Sequence, residues 1–161
     1  MPRRLIRLIY FSKQAIPHED IDSEIDAIIR ASVRNNMTSG VTGLLLAHRG
    51  WFLQALEGEP VAVQTTYGRI VNDRRHAESH VLTAMPIEGR MFGAWEMCAR
   101  RLTTEDEAIL GVLDAKSAFD PARFDAKAAL RLLMAVRNIR GRLRSEAQSA
   151  SRAAQGLVKR L

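Results

Sequence analysis

The sequence predicts an α+β fold in which two amphipathic helices lie against one sheet. Three observations predict it: apolar runs of strand length recur along the first hundred residues, two segments with helical spacing of apolar residues separate them, and turn residues stand at the junctions. The 161 residues, 47% hydrophobic and 26% charged, suffice for one sizeable core.

Arg3 to Ser12, rich in Leu, Ile, Tyr and Phe, reads as a buried opening strand. After Pro17 the acidic stretch HEDIDSE places carboxylates in a first helical turn, where the helix dipole favours them. Ile21, Ile25, Ile28, Ile29 and Ser32 follow at helical spacing, and the helix ends near Asn36. In VTGLLLAHRGWFLQALEG two apolar runs flank Arg49-Gly50, a turn signal that predicts a hairpin. Pro60 opens a second helix carrying Val61, Val63, Tyr67, Ile70 and Val71 and stopping around Arg75 and His76. Strands at about Ser79 to Ile87 and Ala94 to Arg100 complete the order βαββαββ. That order predicts a ferredoxin-like sandwich of two helices on a five-stranded mixed sheet.

Beyond Thr103 the chain turns helical. TTEDEAILGVLD has the form of a capped helix, and Asp120-Pro121 breaks it from a longer one. In that longer helix Leu132, Val136, Ile139 and Leu143 form an apolar stripe flanked by Arg131, Arg137, Arg140 and Arg144, the pattern of a helix docking on a partner; a frayed end is expected from Ser145. Charge divides the same way. Residues 1–122 hold 14 Lys+Arg against 16 Asp+Glu, whereas residues 123–161 hold 10 against 2, so a near-neutral domain precedes a basic extension. The expected division is a domain over 1–102 and an extension over 103–161 serving output or oligomerisation.

No apolar run approaches the roughly 20 residues of a membrane-spanning helix, and Leu8 to Phe11 is too short for a signal-peptide core, so a cytoplasmic protein is expected. The single cysteine, Cys98, has no metal-binding spacing around it. Phosphate-loop, serine-hydrolase, dinucleotide and zinc-protease motifs are all missing, which argues against an enzyme. Asp73 and His76 read either as an acid/base pair or as ordinary helix-end pairing. An acylphosphatase-like activity would need a glycine-bearing phosphate loop after the first strand, and SKQAIPHED has none. A nucleic-acid-binding or regulatory module working through the basic extension is the alternative reading, but the strands lack an aromatic RNA-recognition signature.

Polar residues among apolar ones on the two helices are more informative. Asn35 and Asn36 end the first, and Arg69 and Asp73 belong to the second. Buried amides and charges are costly unless hydrogen-bonded, so such a group fits a polar planar ligand; helix capping explains either asparagine equally well.

The segments RLIYFS, SVRNNMTSGVTGLLL, GWFLQALEGE, GRIVNDRRH and RMFGAWEM, in this order and spacing, resemble the BLUF domain, a sensor of blue light using FAD. The resemblance spans residues 4 to about 100, and the extension is similar in general character to that of short BLUF photoreceptors. It implies FAD as cofactor, with FMN or riboflavin as surrogates, and a photochemical pair of Tyr10 and Gln54. It further implies that Asn36 binds the flavin ring edge, that Asn35, Arg69, Asp73 and Ser32 stand near its polar rim, and that Ile28 and Ile70 cover its faces. Trp95 and Met97 on the fifth strand would transmit the signal. The implied partners are other copies, as a dimer or larger homo-oligomer, and a separate effector such as a phosphodiesterase or transcription regulator, contacted through residues 104–144; membrane and nucleic acid are not expected partners.

Overall fold

The computed structural model describes residues 4–93 and 119–158. Four strands and three helices appear in the order β1 (Leu5–Gln14), α1 (Ile21–Ser39), β2 (Thr42–His48), β3 (Trp51–Gly58), α2 (Pro60–Val71), β4 (His76–Ile87) and α3 (Ala126–Val158). Single 3-10 turns at His18–Asp20 and Pro121–Arg123 introduce α1 and α3. The sheet order is β2-β3-β1-β4, and all three pairings are antiparallel. The expected mixed sheet is therefore corrected to an antiparallel one among the described residues. Each crossover helix returns the chain parallel to the strand it left but one place removed, and an antiparallel strand fills the gap. The fifth strand, the helix following Thr103 and Cys98 lie outside the described residues.

Local sequence accounts for the joints. The β2–β3 hairpin turns through Arg49 and Gly50 at φ 46° and 82°, the two left-handed residues that a tight hairpin twisted like its strands requires. Gly43 sits where a Cβ would fall 2.0 Å from the Ala55 carbonyl oxygen, so only glycine lets β2 approach β3 this closely. Helix α2 begins with Pro60 in its first turn and ends four residues sooner than expected, because a turn through Asp73 gives His76 to β4 instead. Where β4 passes β1 its register shifts twice, and Glu78, at φ 47°, lies in the second irregularity.

Antiparallel sheets commonly leave one face wet, with alternating polar residues. Here β1, β2 and β3 are buried almost throughout, because both faces are covered. On one face α1 packs Ile25 and Ile28 against Leu45, Ala47 and Phe52, while α2 packs Val63 against Leu8, Tyr10 and Leu56. On the other face Ala129, Leu133 and Val136 of α3 meet Ile9, Phe11, Leu44, Leu46, Leu53 and Ala55.

Of the expected stripe, Val136 docks on the chain's own sheet, with Leu132 partly buried beside it; the face that packs there is Ala129, Leu133 and Val136. Ile9 and Phe11 of β1 and Trp51, Leu53 and Ala55 of β3 are apolar and need that cover. The expected fraying from Ser145 is also corrected: the helix runs on to Val158, with residues 145–156 exposed, in a segment whose alanines are strong helix formers. The Leu143 side chain lies outside the described residues. Among the described residues, no helix is long and apolar enough to cross a membrane.

A buried carboxylate joins these layers. Glu57, at the end of β3, accepts from Arg7 Nε at 2.7 Å and from the backbone N–H groups of Met91 and Phe92 at 3.2 and 3.0 Å. Phe92 packs into the α3 side of the core, and Arg137 of α3 donates to the Met91 carbonyl at 2.6 Å. Arg90 donates in turn to Thr42 Oγ1 and to the carbonyls of Glu57 and Gly40. The segment leaving β4 is fastened to the sheet on one side and to α3 on the other.

Leu133 is fully buried between α3 and the sheet. Leu133→Ala should lower the unfolding free energy by about 2–5 kcal/mol in urea titrations; a loss below about 1 kcal/mol would mean that α3 does not cover the sheet in solution.

Candidate functional site

On the two-helix face, the inward residues of β3 read Phe52, Gln54, Leu56. Phe52 belongs to the cluster under α1 and Leu56 to the cluster under α2, so Gln54 lies between two separate apolar clusters, at the floor of the space between the helices. Antiparallel register sets Tyr10 of β1 directly opposite Gln54, with both side chains on one face. The Tyr10 hydroxyl donates to Gln54 Oε1 at 2.5 Å, and both residues are buried. Burial is the main reason that the phenol's pKa is raised well above its usual value, with Tyr67 and then Asp73 adding to it. Tyr10 is therefore a neutral donor held against an amide oxygen.

Around this pair stand further groups. The Tyr67 ring of α2 lies 5.1 Å from that of Tyr10, and its hydroxyl meets Ser79 Oγ of β4 at 2.9 Å. His76, at the start of β4, lies tilted with its ring centre 4.4 Å from that of Phe52 and places Nδ1 2.8 Å from Ser12 Oγ. Desolvation lowers the His76 pKa to about 4, against an opposing pull from Asp73. The imidazole is neutral at pH 7.

The expected site residues are distributed unevenly. Ile28 and Asn36 are buried on α1, with Ser32 half-buried one turn from each; Ile70 packs from α2 beside Tyr10. Asp73 is half-buried and is gripped by Arg75, whose Nη2 lies 2.6 Å from Oδ2, and this hydrogen bond holds the carboxyl below its ordinary range. Asn35 and Arg69 are at the surface. Trp95 and Met97 lie outside the described residues.

Two groups here were not expected from the sequence, and a third, His76, is placed differently. Arg75 binds Asp73 with Nε and Nη2 and reaches Glu24 on α1 with Nη1 at 3.3 Å, tying the turn after α2 to α1. Its signal was the Asp73–Arg75 spacing, which fits a turn rather than a helix. Thr66, buried on α2, stands out at an otherwise apolar spacing shared with Val63 and Ile70. His76 was read as a helix-end residue, whereas it enters the site as the first residue of β4.

One observation points to a ligand. Asn36 Nδ2 and Thr66 Oγ1 are the two side-chain polar atoms that, among the described residues, are buried without a hydrogen-bond partner. One belongs to each helix, and buried donors are otherwise almost always satisfied. A flavin ring system is flat and apolar on its faces, with hydrogen-bonding atoms along one edge. Isoleucines from both helices, an amide donor and a phenol–amide floor fit such a group.

Residues 5–98 match the family model described as sensors of blue light using FAD. The chain belongs to the BLUF family. It is accordingly a blue-light sensor that uses FAD. This BLUF chain is 36% identical over 91 residues to the photoactivated adenylate cyclase subunit alpha of Euglena gracilis, covering 56% of this chain but only 9% of that protein. The photo-activated state of BlsA superposes with a TM-score of 0.72 at 25% identity, covering 80% of this chain and 91% of the other. The dark state of BlrB, a BLUF protein, gives a TM-score of 0.66 at 28% identity, covering 84% and 99%. A ferredoxin-like BLUF fold is thus shared over most of the described residues.

The His76 environment yields a pH dependence. Its folded pKa of about 4 lies below the ordinary 6.5, so the unfolded chain takes up a proton first. Its stabilising contribution is whole above pH 6.5 and is lost as pH falls toward 4, amounting to about 3 kcal/mol at 1.36 kcal/mol per unit. In urea titrations at equal FAD occupancy, the protein should lose about that much more stability between pH 7 and pH 4 than His76→Gln; equal losses would place the imidazole in water.

Proposed function

We propose that FAD is held between α1 and α2, that Tyr10 and Gln54 are the photochemical pair, and that residues 103–161 form an output extension. The observation that carries this reading is the buried Tyr10–Gln54 hydrogen bond, at the point where the apolar clusters of the two helices separate. When bound, FAD absorbs blue light and in its excited state accepts an electron.

The protein supplies the rest. A buried phenol can part with its proton only to a group already hydrogen-bonded to it, and for Tyr10 that group is Gln54 Oε1. Tyr10 would supply that electron while its Oη proton passes to Gln54 Oε1; when the electron returns, a proton goes back to Oη, either from Oε1, which restores an amide that can rotate while its bond to Tyr10 is broken, or from Nε2, which leaves the other tautomer. Tyr10 then faces a different hydrogen-bonding pattern on β3. A change of one hydrogen bond is worth on the order of 1 kcal/mol, or about 3 when a buried group is stranded. Such an energy shifts a two-state equilibrium several-fold without unfolding anything.

Asn36 is assigned to the ring edge of FAD, Ile28 and Ile70 to its faces, and Ser32 and Asp73 to the polar rim. Asn35 and Arg69, being at the surface, suit the more exposed end of the cofactor. Trp95 and Met97 transmit. The domain is a sensor, and the work it controls belongs to an effector distinct from it, as a cyclase is in the photoactivated adenylate cyclase relative. A second copy of the chain and a phosphodiesterase or transcription regulator are the proposed partners in the cytoplasm. Among the described residues of the extension, the exposed stretch 146–156 of α3 suits such a contact, since Ala129, Leu133 and Val136 pack on the sheet.

The test is the absorption spectrum of the FAD-loaded protein in darkness and directly after blue light. A small red shift that reverses in the dark is expected, and a static spectrum would overturn the sensor mechanism. Tyr10→Phe should keep FAD and lose the shift; persistence of the shift would remove Tyr10 from the photochemistry. Asn36→Ala should weaken FAD binding about tenfold, as for one buried hydrogen bond, measured by flavin release at equilibrium.

A further inference from the structure

The second orphaned atom assigns a further residue to cofactor binding. Thr66 lies on α2 one turn from Val63 and one from Ile70, the residues that face the sheet beneath that helix, and it is 7% exposed. A threonine inside a helix ordinarily satisfies its hydroxyl by donating to the carbonyl one turn back, which here is that of Ala62. Thr66 does not, and among the described residues Oγ1 has no hydrogen-bond partner. A valine would fill the same volume without the cost of a stranded hydroxyl. The polar atom is therefore a liability to the protein alone.

The other such atom, Asn36 Nδ2, lies on α1, so each helix brings one unpaired polar group to the two-helix side of the sheet. We propose that Thr66 is an FAD-binding residue whose hydroxyl donates to an acceptor atom of the cofactor, complementing Asn36 from the opposite helix. This rests on the reading that FAD lies between α1 and α2. Unlike Tyr10 and Gln54, which hydrogen-bond each other, Thr66 gains its partner only with the ligand, and its contribution is to affinity rather than to photochemistry.

The two states respond oppositely to its removal, and that separates a ligand contact from a structural one. In the full chain without FAD, Thr66→Val should raise the melting temperature by about 2–4 °C, because a stranded hydroxyl is replaced by a methyl group of like size. The same substitution should raise the dissociation constant for FAD about tenfold, and Thr66→Ser, which keeps the hydroxyl, should restore affinity to within about threefold. A Thr66→Val protein that melts lower without FAD would mean that the hydroxyl has a protein partner, and the proposal would fall. One that binds FAD as tightly as the parent would also overturn it, while leaving the flavin site itself intact. If the unsubstituted protein took up no FAD, the site reading and this residue would fail together.

Discussion

The alignment of β1 with β3 is the constraint on which the rest of the molecule depends. Two polar pairs of opposite orientation fix it. Tyr10 lies across from Gln54 on the two-helix face, and three residues earlier Arg7 lies across from Glu57 on the face of the Glu57–Phe92 contacts. A slip of one residue would turn each side chain to the wrong face. The phenol would then enter the apolar layer under α3, and the carboxylate would lose its guanidinium while still buried, a loss of several kcal/mol. Packing alone tolerates a range of apolar exchanges; these paired polar groups do not.

Much of this was legible in the sequence. The Arg49-Gly50 turn, Pro60 and the helical spacing of Ile21, Ile25 and Ile28 located three elements through local backbone chemistry. The nearly unbroken apolar runs of β2 and β3 also carried a message that the antiparallel order obscured: strands apolar on both faces need a layer on each side. That layer is α3, which was expected to serve a partner. The arginines beside its stripe drew attention to charge, whereas the decisive fact was the uncovered set Ile9, Phe11, Leu44 and Leu53, which only the strand register reveals.

The site was legible where one residue type is demanded and obscure where the demand is geometric. Tyr10, Gln54 and Asn36 followed from a resemblance carried by short motifs, and each is buried on the two-helix side. Arg75 was hidden because its partner Asp73 is two residues away, a spacing that pairs side chains only in a turn and not along a helix. His76 was hidden because the end of α2 was placed too late. Thr66 carried no motif. Its interest arises from a hydrogen bond that it does not make, which no sequence pattern encodes.

The cover supplied by α3 has a consequence for how the chain comes off the ribosome. Arg137 and Met91 are 46 positions apart, and apart from Leu82 and Phe92 the apolar layer under α3 is drawn from strands that are complete by Gly58. Synthesis proceeds at about 5–20 residues per second, so the 33 residues of the helix alone take roughly two to seven seconds. Throughout that interval the sheet can form while the part of its surface reserved for Ala129, Leu133 and Val136 still faces water. The chain therefore passes through an adhesive stage whose length is set by translation, and crowding during expression or slow codons in the α3 segment would prolong the risk of aggregation rather than alter the finished fold.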